Sequence, residues 1–373
     1  MDSNKNMVLP NQWITNFQLF CLIILVRSMA AISLTPVLTS GYTRQDVWIA
    51  VLLSIFASFI QLWIVVKLYK MFPTLKIGQI IDHVLGKYLG KIGNFIFVLF
   101  FYILAIYWCA YVTNLADVIL PETPRPVIKW SFLFVCFYAL YKGPASILRS
   151  SGFIFISLVG SYFFLVVFLV PEFDFAQFKP ILYYGWTPIL VGTIVPSVLF
   201  FESIMLLQFL PMVRANQWTV RIPFFAHVFA GLLLLVTACL LVMVFGPIEA
   251  EKIQFTVFTL VRAISLGDYV ERLEFVVIAA WFSVIFFGTT TFIYITREIL
   301  LNMIKRLNSY DQYVNVGMVL VIGWLVPKMF PDMLVLLEFY RVDQYGFSGF
   351  VIAGAFPIIL FIVANLRKQG AKL

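Results

Sequence analysis

Apolar runs separated by short polar breaks make up nearly the whole chain. About 20 apolar residues are enough to cross a bilayer core. Runs of that kind lie at about 14–38, 46–69, 93–120, 127–143, 151–171, 188–211, 222–246, 273–301, 313–331 and 345–366. They predict ten transmembrane helices. Strands of a membrane barrel would show segments of about 10 residues with period-two alternation, and the runs carry none. The expectation is therefore an all-α polytopic membrane protein. The ninth run holds Pro327 and Pro331 and is expected to continue as an outer-surface helix through Phe339.

Two further segments read as helices lying along a membrane surface. In LKIGQIIDHVLGKYLG, residues 75–90, the apolar Leu75, Ile77, Ile80, Ile81, Val84, Leu85 and Leu89 recur near helical spacing with lysines on other faces. That pattern predicts an interfacial helix. Segment 250–268 is read as a second surface helix. The apolar run after Trp13 is about 25 residues, too long for the core of a cleaved signal peptide, and is expected to stay in the membrane.

Composition agrees with this pattern. Hydrophobic residues form 62% of the chain and charged residues 12%, against about 45–50% and 25% in soluble domains. The mean hydropathy is +0.98. The net charge of +8 is explained by sidedness rather than by an anionic partner such as nucleic acid. Of the 26 lysines and arginines, 16 fall on one side of the predicted topology and 9 on the other, with Arg27 between. Basic loops stay in the cytoplasm, which predicts that both termini are cytoplasmic.

Ten spans divide into five plus five, at approximately 14–171 and 188–366 within a single membrane domain, 1–373. Because five is odd, the second half is inverted relative to the first, the layout of inverted-repeat transporters. Span 1 is then the counterpart of span 6.

The candidate chemistry sits in those two spans. FCLIILVRSMAAISL, residues 20–34, places Arg27 near the bilayer midplane, where an arginine costs roughly 2.5–3.5 kcal/mol on insertion scales. VPSVLFFESIMLLQFLP, residues 195–211, places Glu202 at similar depth. These residues predict an Arg27–Glu202 ion pair, read either as a structural pair that fixes packing or as charges lining a ligand cavity; the alternative is that the two are unpaired and face water. Ser28 and Ser33 flank Ala30 and Ala31, small residues that permit close approach. Tyr107, Tyr111 and Asn114 share a face of span 3, and span 8 carries Ser283 and Gly288-Thr289-Thr290-Thr291. Hydroxyls in such helices either meet a ligand or bond back to their own backbone. His227 is read as a satisfied packing histidine rather than a proton relay.

Cys21, Cys109, Cys136 and Cys239 all lie in apolar runs and read as small hydrophobes. No nucleotide-binding or zinc motif occurs. Without a convergent nucleophile and base, no enzyme is expected, and no cofactor.

Several stretches carry a resemblance: GYTRQDVWIAVLL (41–53), LPETPRPVI (120–128), PILYYGWTPILVG (180–192), FFESIMLLQFLPMV (200–213) and GDYVERLEFVVIAAW (267–281). In order and spacing the chain resembles the B-subunit of the nutrient germinant receptors of bacterial endospores, the endospore germination permease family. That family belongs with the amino acid–polyamine–organocation transporter superfamily. The resemblance implies a leucine-transporter-like fold in the spore inner membrane. It also implies an A-subunit and a lipoprotein C-subunit as partners, and a small nutrient, an amino acid or sugar, as ligand. The superfamily's site lies between spans 1 and 6, with help from spans 3 and 8. Carried over, that implies Arg27, Ser28, Ala30, Ala31, Ser33, Tyr107, Tyr111, Phe200, Phe201, Glu202 and Thr289. The stretch VRSMAAIS in span 1 lacks the glycine that often breaks this helix in the superfamily, which points to Arg27 as the group that would meet a ligand carboxylate. Three functions follow: a nutrient-sensing subunit, a secondary transporter, or a channel for ions or water.

Overall fold

The computed structural model describes residues 14–33, 43–214, 216–264, 274–339 and 347–367. Among them the structure is helical, with one isolated backbone bridge between Ile14 and Val213. The helices are α1 (Asn16–Ser33), α2 (Val47–Met71), α3 (Ile77–Leu85), α4 (Lys87–Ile119), α5 (Arg125–Lys142), α6 (Pro144–Leu169), α7 (Trp186–Gly192), α8 (Ile194–Phe201), α9 (Leu206–Phe209), α10 (Ile222–Ala250), α11 (Thr256–Arg262), α12 (Glu274–Met303), α13 (Asp311–Met329), α14 (Met333–Phe339), α15 (Phe347–Gly349) and α16 (Phe356–Leu366).

Six helical stretches are long and apolar enough to cross a membrane, and a seventh if the α13–α14 pair, bent by 100°, counts as one span. The other predicted spans fall on helices that are shorter or more basic: α1, the 18-residue α5 with Arg125, Lys129 and Lys142, and the interrupted last helix. Exposed apolar side chains such as Phe56, Ile60, Phe153, Phe163 and Trp324 cover the outer faces. Hydrocarbon, not water, is the solvent such faces suit.

The centre is α1, packed against α6, α10 and α12, while α4 runs beside α12 and α2 lies against α8 and α10. Close approach depends on small residues. A Cβ on Gly288 of α12 would collide with the Met29 sulfur of α1, and one on Gly231 of α10 would stand 2.6 Å from Ile55 of α2.

Two surface helices depart from expectation. The 75–90 segment is split at Gly86, whose φ of 83° favours glycine, and its second part is already the start of α4. The apolar face of α3 is buried against α4, α12 and α16, so protein rather than lipid covers it. In the 250–268 segment, Gly246 (φ 73°) and Pro247 turn the chain inward. Thr256, Val257, Phe258, Leu260 and Val261 of α11 are consequently buried. This helix is a packed element, not a free docking surface; residues 265–268 lie outside the described set.

A clasp joins the start of α2 to the loop before α7. The buried Asp46 carboxylate accepts from the Leu182 N–H at 3.0 Å, and Gln45 Nε2 donates to the Pro180 carbonyl at 2.8 Å. Arg44 donates to the Tyr184 hydroxyl, sits 4.7 Å from that ring's centre and lies 3.6 Å from Glu251.

Candidate functional site

The sixth predicted span is not one helix. Thr193 alone separates α7 from α8, and Pro196 has no N–H to extend the ladder. Hydroxyls reinforce the backbone bonds here: Thr193 Oγ1 donates to Ile189 O at 2.8 Å, and Ser197 Oγ to Thr193 O at 2.7 Å. A second break follows α8, where Glu202–Met205 forms a 3₁₀ turn before the short α9. Broken helices inside a membrane protein free backbone groups that side chains must satisfy.

Two polar side chains meet this second break. Arg27, on α1 and 4% exposed, donates through one terminal nitrogen to the Phe200 carbonyl at 3.2 Å and to the Ser203 hydroxyl. Its other terminal nitrogen lies 2.6 Å from His227 Nδ1 on α10. The Phe200 ring lies 5.2 Å from the guanidinium carbon, within cation–π range. The second side chain is Gln61 of α2, which donates to the Phe201 carbonyl at 2.9 Å.

Hydrogen-bond chemistry fixes the histidine. A guanidinium only donates, so His227 Nδ1 accepts. The proton then sits on Nε2, which donates to the Ile55 carbonyl at 3.0 Å, with Ser58 Oγ 3.2 Å away. His227 is therefore the neutral Nε2–H tautomer, and it links α1, α2 and α10.

The expected Arg27–Glu202 contact pair is replaced by this arrangement. Among the described residues, no carboxylate oxygen lies within 4.0 Å of the Arg27 guanidinium. Glu202 is buried and acts on Arg27 only through space. The Ser203 hydroxyl itself donates to the Phe200 carbonyl, which sets both acceptors at one place before Arg27. His227, expected only to pack, is the arginine's direct partner.

The remaining expected residues divide into four groups. Ser28 is fully buried beside Arg27 in sequence, and its hydroxyl finds no partner among the described residues; the same holds for Thr289 on α12. Ala30, Ala31 and Ser33 form the last turn of α1, with side chains outside the described set. Tyr107 and Tyr111 join an aromatic cluster. Tyr107 stacks on Phe339 at 5.2 Å and meets Phe330 edge-on at 5.6 Å, while Tyr111 meets Phe255 at 5.7 Å. Asn114, Ser283 and Thr291 bond back to carbonyls of their own helices at 2.8–3.0 Å.

Sequence reasoning missed Ser203, Gln61 and Ser58. Gln61 is an amide in the interior of a largely apolar span that otherwise carries only Ser54 and Ser58 at that depth, a legible signal. Ser203 stands next to Glu202 and carried no separate signal.

A second polar group lies where α3 meets α12. Lys76 Nζ contacts Glu298 at 2.6 Å, Gln208 of α9 reaches the same carboxylate at 3.5 Å, and Arg297 bridges Glu298 and Asp311 at 2.8 Å each. Asp82 accepts from Asn94 at 2.9 Å and from Asn302 at 2.8 Å. Beside them opens a cavity of about 300 Å³ lined by Lys76, Gln208, Glu298, Asn302, Lys305 and Asn308.

The spore germination protein family matches residues 13–331. The chain belongs to this family, the spore germination permeases. It is 24% identical to spore germination protein KB of Bacillus subtilis, over 94% of each chain. It is also 24% identical to spore germination protein YndE of the same organism, over 97% of this chain and 99% of the relative. Spore germination protein XB of Bacillus anthracis is 26% identical over 54% of this chain and 56% of that protein. In structure the chain is similar to MhsT, solved in complex with L-phenylalanine. The TM-score is 0.65 at 11% identity, covering 92% of this chain and 88% of MhsT. The permease thus has a leucine-transporter-like fold and is a multi-pass integral membrane protein.

Proposed function

We propose that this permease is a nutrient germinant receptor subunit of bacterial spores. It binds an amino acid or sugar at the membrane midplane, between α1 and the break after α8, and helps trigger germination. It is not an enzyme. The chain forms one domain of ten spans in a five-plus-five inverted repeat, with both termini cytoplasmic. It sits in the spore inner membrane with an A-subunit and a lipoprotein C-subunit.

One observation carries the reading: among the described residues, the hydrogen bonds of buried Arg27 go to neutral acceptors, namely His227, Ser203 and the Phe200 carbonyl, while Glu202 acts on it through space. A ligand carboxylate makes a stronger, charge-assisted bond than these. Arriving at Arg27, it would displace Ser203 and Phe200, leaving the break to rearrange. Ligand then favours the rearranged state by its differential affinity. Ser28 and Thr289 are the hydroxyls that complete the site.

The test is germination of spores lacking this protein against a panel of amino acids and sugars, scored by dipicolinate release. The expected result is loss of response to one nutrient, restored by wild type but not by Arg27→Gln or Ser203→Ala at equal protein level. Unchanged responses to every nutrient would overturn the receptor assignment for that panel. The likeness to MhsT favours a second reading, secondary transport of an amino acid, which predicts net uptake into vesicles.

A further inference from the structure

The last helical stretch contains an irregularity that the ligand reading does not use. Residues Phe350–Ala355 are wound as a π-helix leading into α16. Inside it the ladder runs five residues back, with the Phe356 N–H reaching Val351 O, and Pro357 ends it because proline has no N–H. Ala353 is fully buried, and a buried carbonyl needs a donor.

Gln61 of α2 meets it. Its Nε2 donates to Ala353 O at 3.2 Å while donating to Phe201 O at 2.9 Å. An amide nitrogen has two hydrogens, and both go to carbonyls. This also fixes the amide's orientation, since its oxygen has nothing to offer either partner. Gln61 is 2% exposed. One side chain therefore spans two non-α stretches from distant parts of the chain: the break after α8 and the π segment before α16. A second contact runs alongside: a Cβ on Gly354 would stand 2.8 Å from the Phe201 ring, so that ring lies directly on the π segment's backbone.

π segments are frequent at functional sites, and coupling needs an element with alternative arrangements that both sites bias. We infer that Gln61 is a positioning residue that couples the break after α8 to the last helix, making α16 an output element for changes at Phe200–Ser203. The inference rests on the proposed site only for the origin of the signal. Phe200 and Phe201 carry consecutive carbonyls, one held by Arg27 and the other by Gln61. A change that releases the first shifts the second, and Gln61 carries the shift to Ala353.

The test needs no nutrient. A spin label is placed at Ile362→Cys, half exposed on α16, in a full-length background whose native cysteines are replaced, and the protein is purified in nanodiscs. The break is perturbed by Ser203→Ala, either with Gln61 present or in a Gln61→Met background, which keeps side-chain length but loses both donors. The expected result is a change in label mobility of at least about twofold with Gln61, and none in the Gln61→Met background. Equal responses in the two backgrounds, or no response in either, would overturn the coupling. If Gln61→Met does not fold, Gln61→Asn serves: it keeps the amide but is one methylene too short to reach both carbonyls, and the same loss is expected. Germination of the parent spores is scored separately. A label response together with nutrient responses that do not depend on this protein would leave the coupling standing and the receptor reading overturned.

Discussion

The Arg27 guanidinium and the His227 imidazole stand 2.6 Å apart in the buried centre of the molecule, and the histidine acts as the acceptor. A hydrogen bond to a charged group contributes about 1.5–3 kcal/mol. Removing His227 also leaves an arginine nitrogen buried with nothing to receive it. His227→Ala is expected to lower stability by about 3 kcal/mol, seen as a lower melting temperature in detergent. His227→Gln, which keeps an acceptor, should recover part of the loss. A melting temperature unchanged in His227→Ala would refute the bond.

Ser203 and Glu202 are adjacent, yet they should behave differently. Ser203→Ala removes an acceptor from Arg27 and is expected to cost about 1–3 kcal/mol. Glu202→Gln removes a charge that does not touch the arginine and should cost less. Exchanging the charges, Arg27→Glu with Glu202→Arg, should restore nothing, because among the described residues the Arg27 guanidinium contacts neutral acceptors and not Glu202. Recovery of melting temperature in the exchanged protein would instead establish a direct pair.

Lys76 and Gln208 both bond to Glu298 in the wall of the cavity beside α3. Glu298→Gln weakens those bonds. Labelling of Gln208→Cys by a membrane-impermeant thiol reagent should become several-fold faster in the Glu298→Gln background. Identical labelling rates would mean that this ion pair does not control access.

Gly288 and Met29 share one space between α12 and α1. Adding side-chain volume to a filled core costs about 1–3 kcal/mol, so Gly288→Val should destabilise within that range. Met29→Ala vacates the space, and the double variant should be less destabilised than the sum of the two single changes. Additive melting-temperature losses would count against the contact.

The membrane class and the boundaries of most long helices were legible in the sequence, because apolar runs of span length have few other meanings. Arg27 and the region around Glu202 were legible for the same reason: polar groups stand out against such runs. Which of them touch was not, since that depends on the 3₁₀ turn after Phe201. Hydropathy is blind to a change from 3.6 to 3.0 residues per turn. His227 was legible as a buried, satisfied histidine, but its partner was not. One histidine on an apolar helix does not announce the arginine 200 positions away that it accepts from. The burial of α11 likewise follows from the turn at Gly246, a single dihedral choice. The 75–90 segment shows the converse case, where helical periodicity was correct and only the conformation of Gly86 decided that it holds two helices.

The clasp between Asp46 and Leu182 bears on how this family can be recombined. GYTRQDVWIAVLL and PILYYGWTPILVG are two of the stretches that carry the resemblance, and in the folded chain they are the two halves of one joint. Gln45 and Asp46 bind backbone groups and therefore accept many sequences opposite them, whereas Arg44 reads the Tyr184 side chain. A chimaera of two relatives whose crossover falls between residues 53 and 180 takes its joint from two parents, and position 44 must then match a foreign position 184. A crossover after Gly192 keeps these hydrogen bonds from one parent and leaves only the Arg44–Glu251 contact to be matched, making that turn the natural seam for exchanging halves.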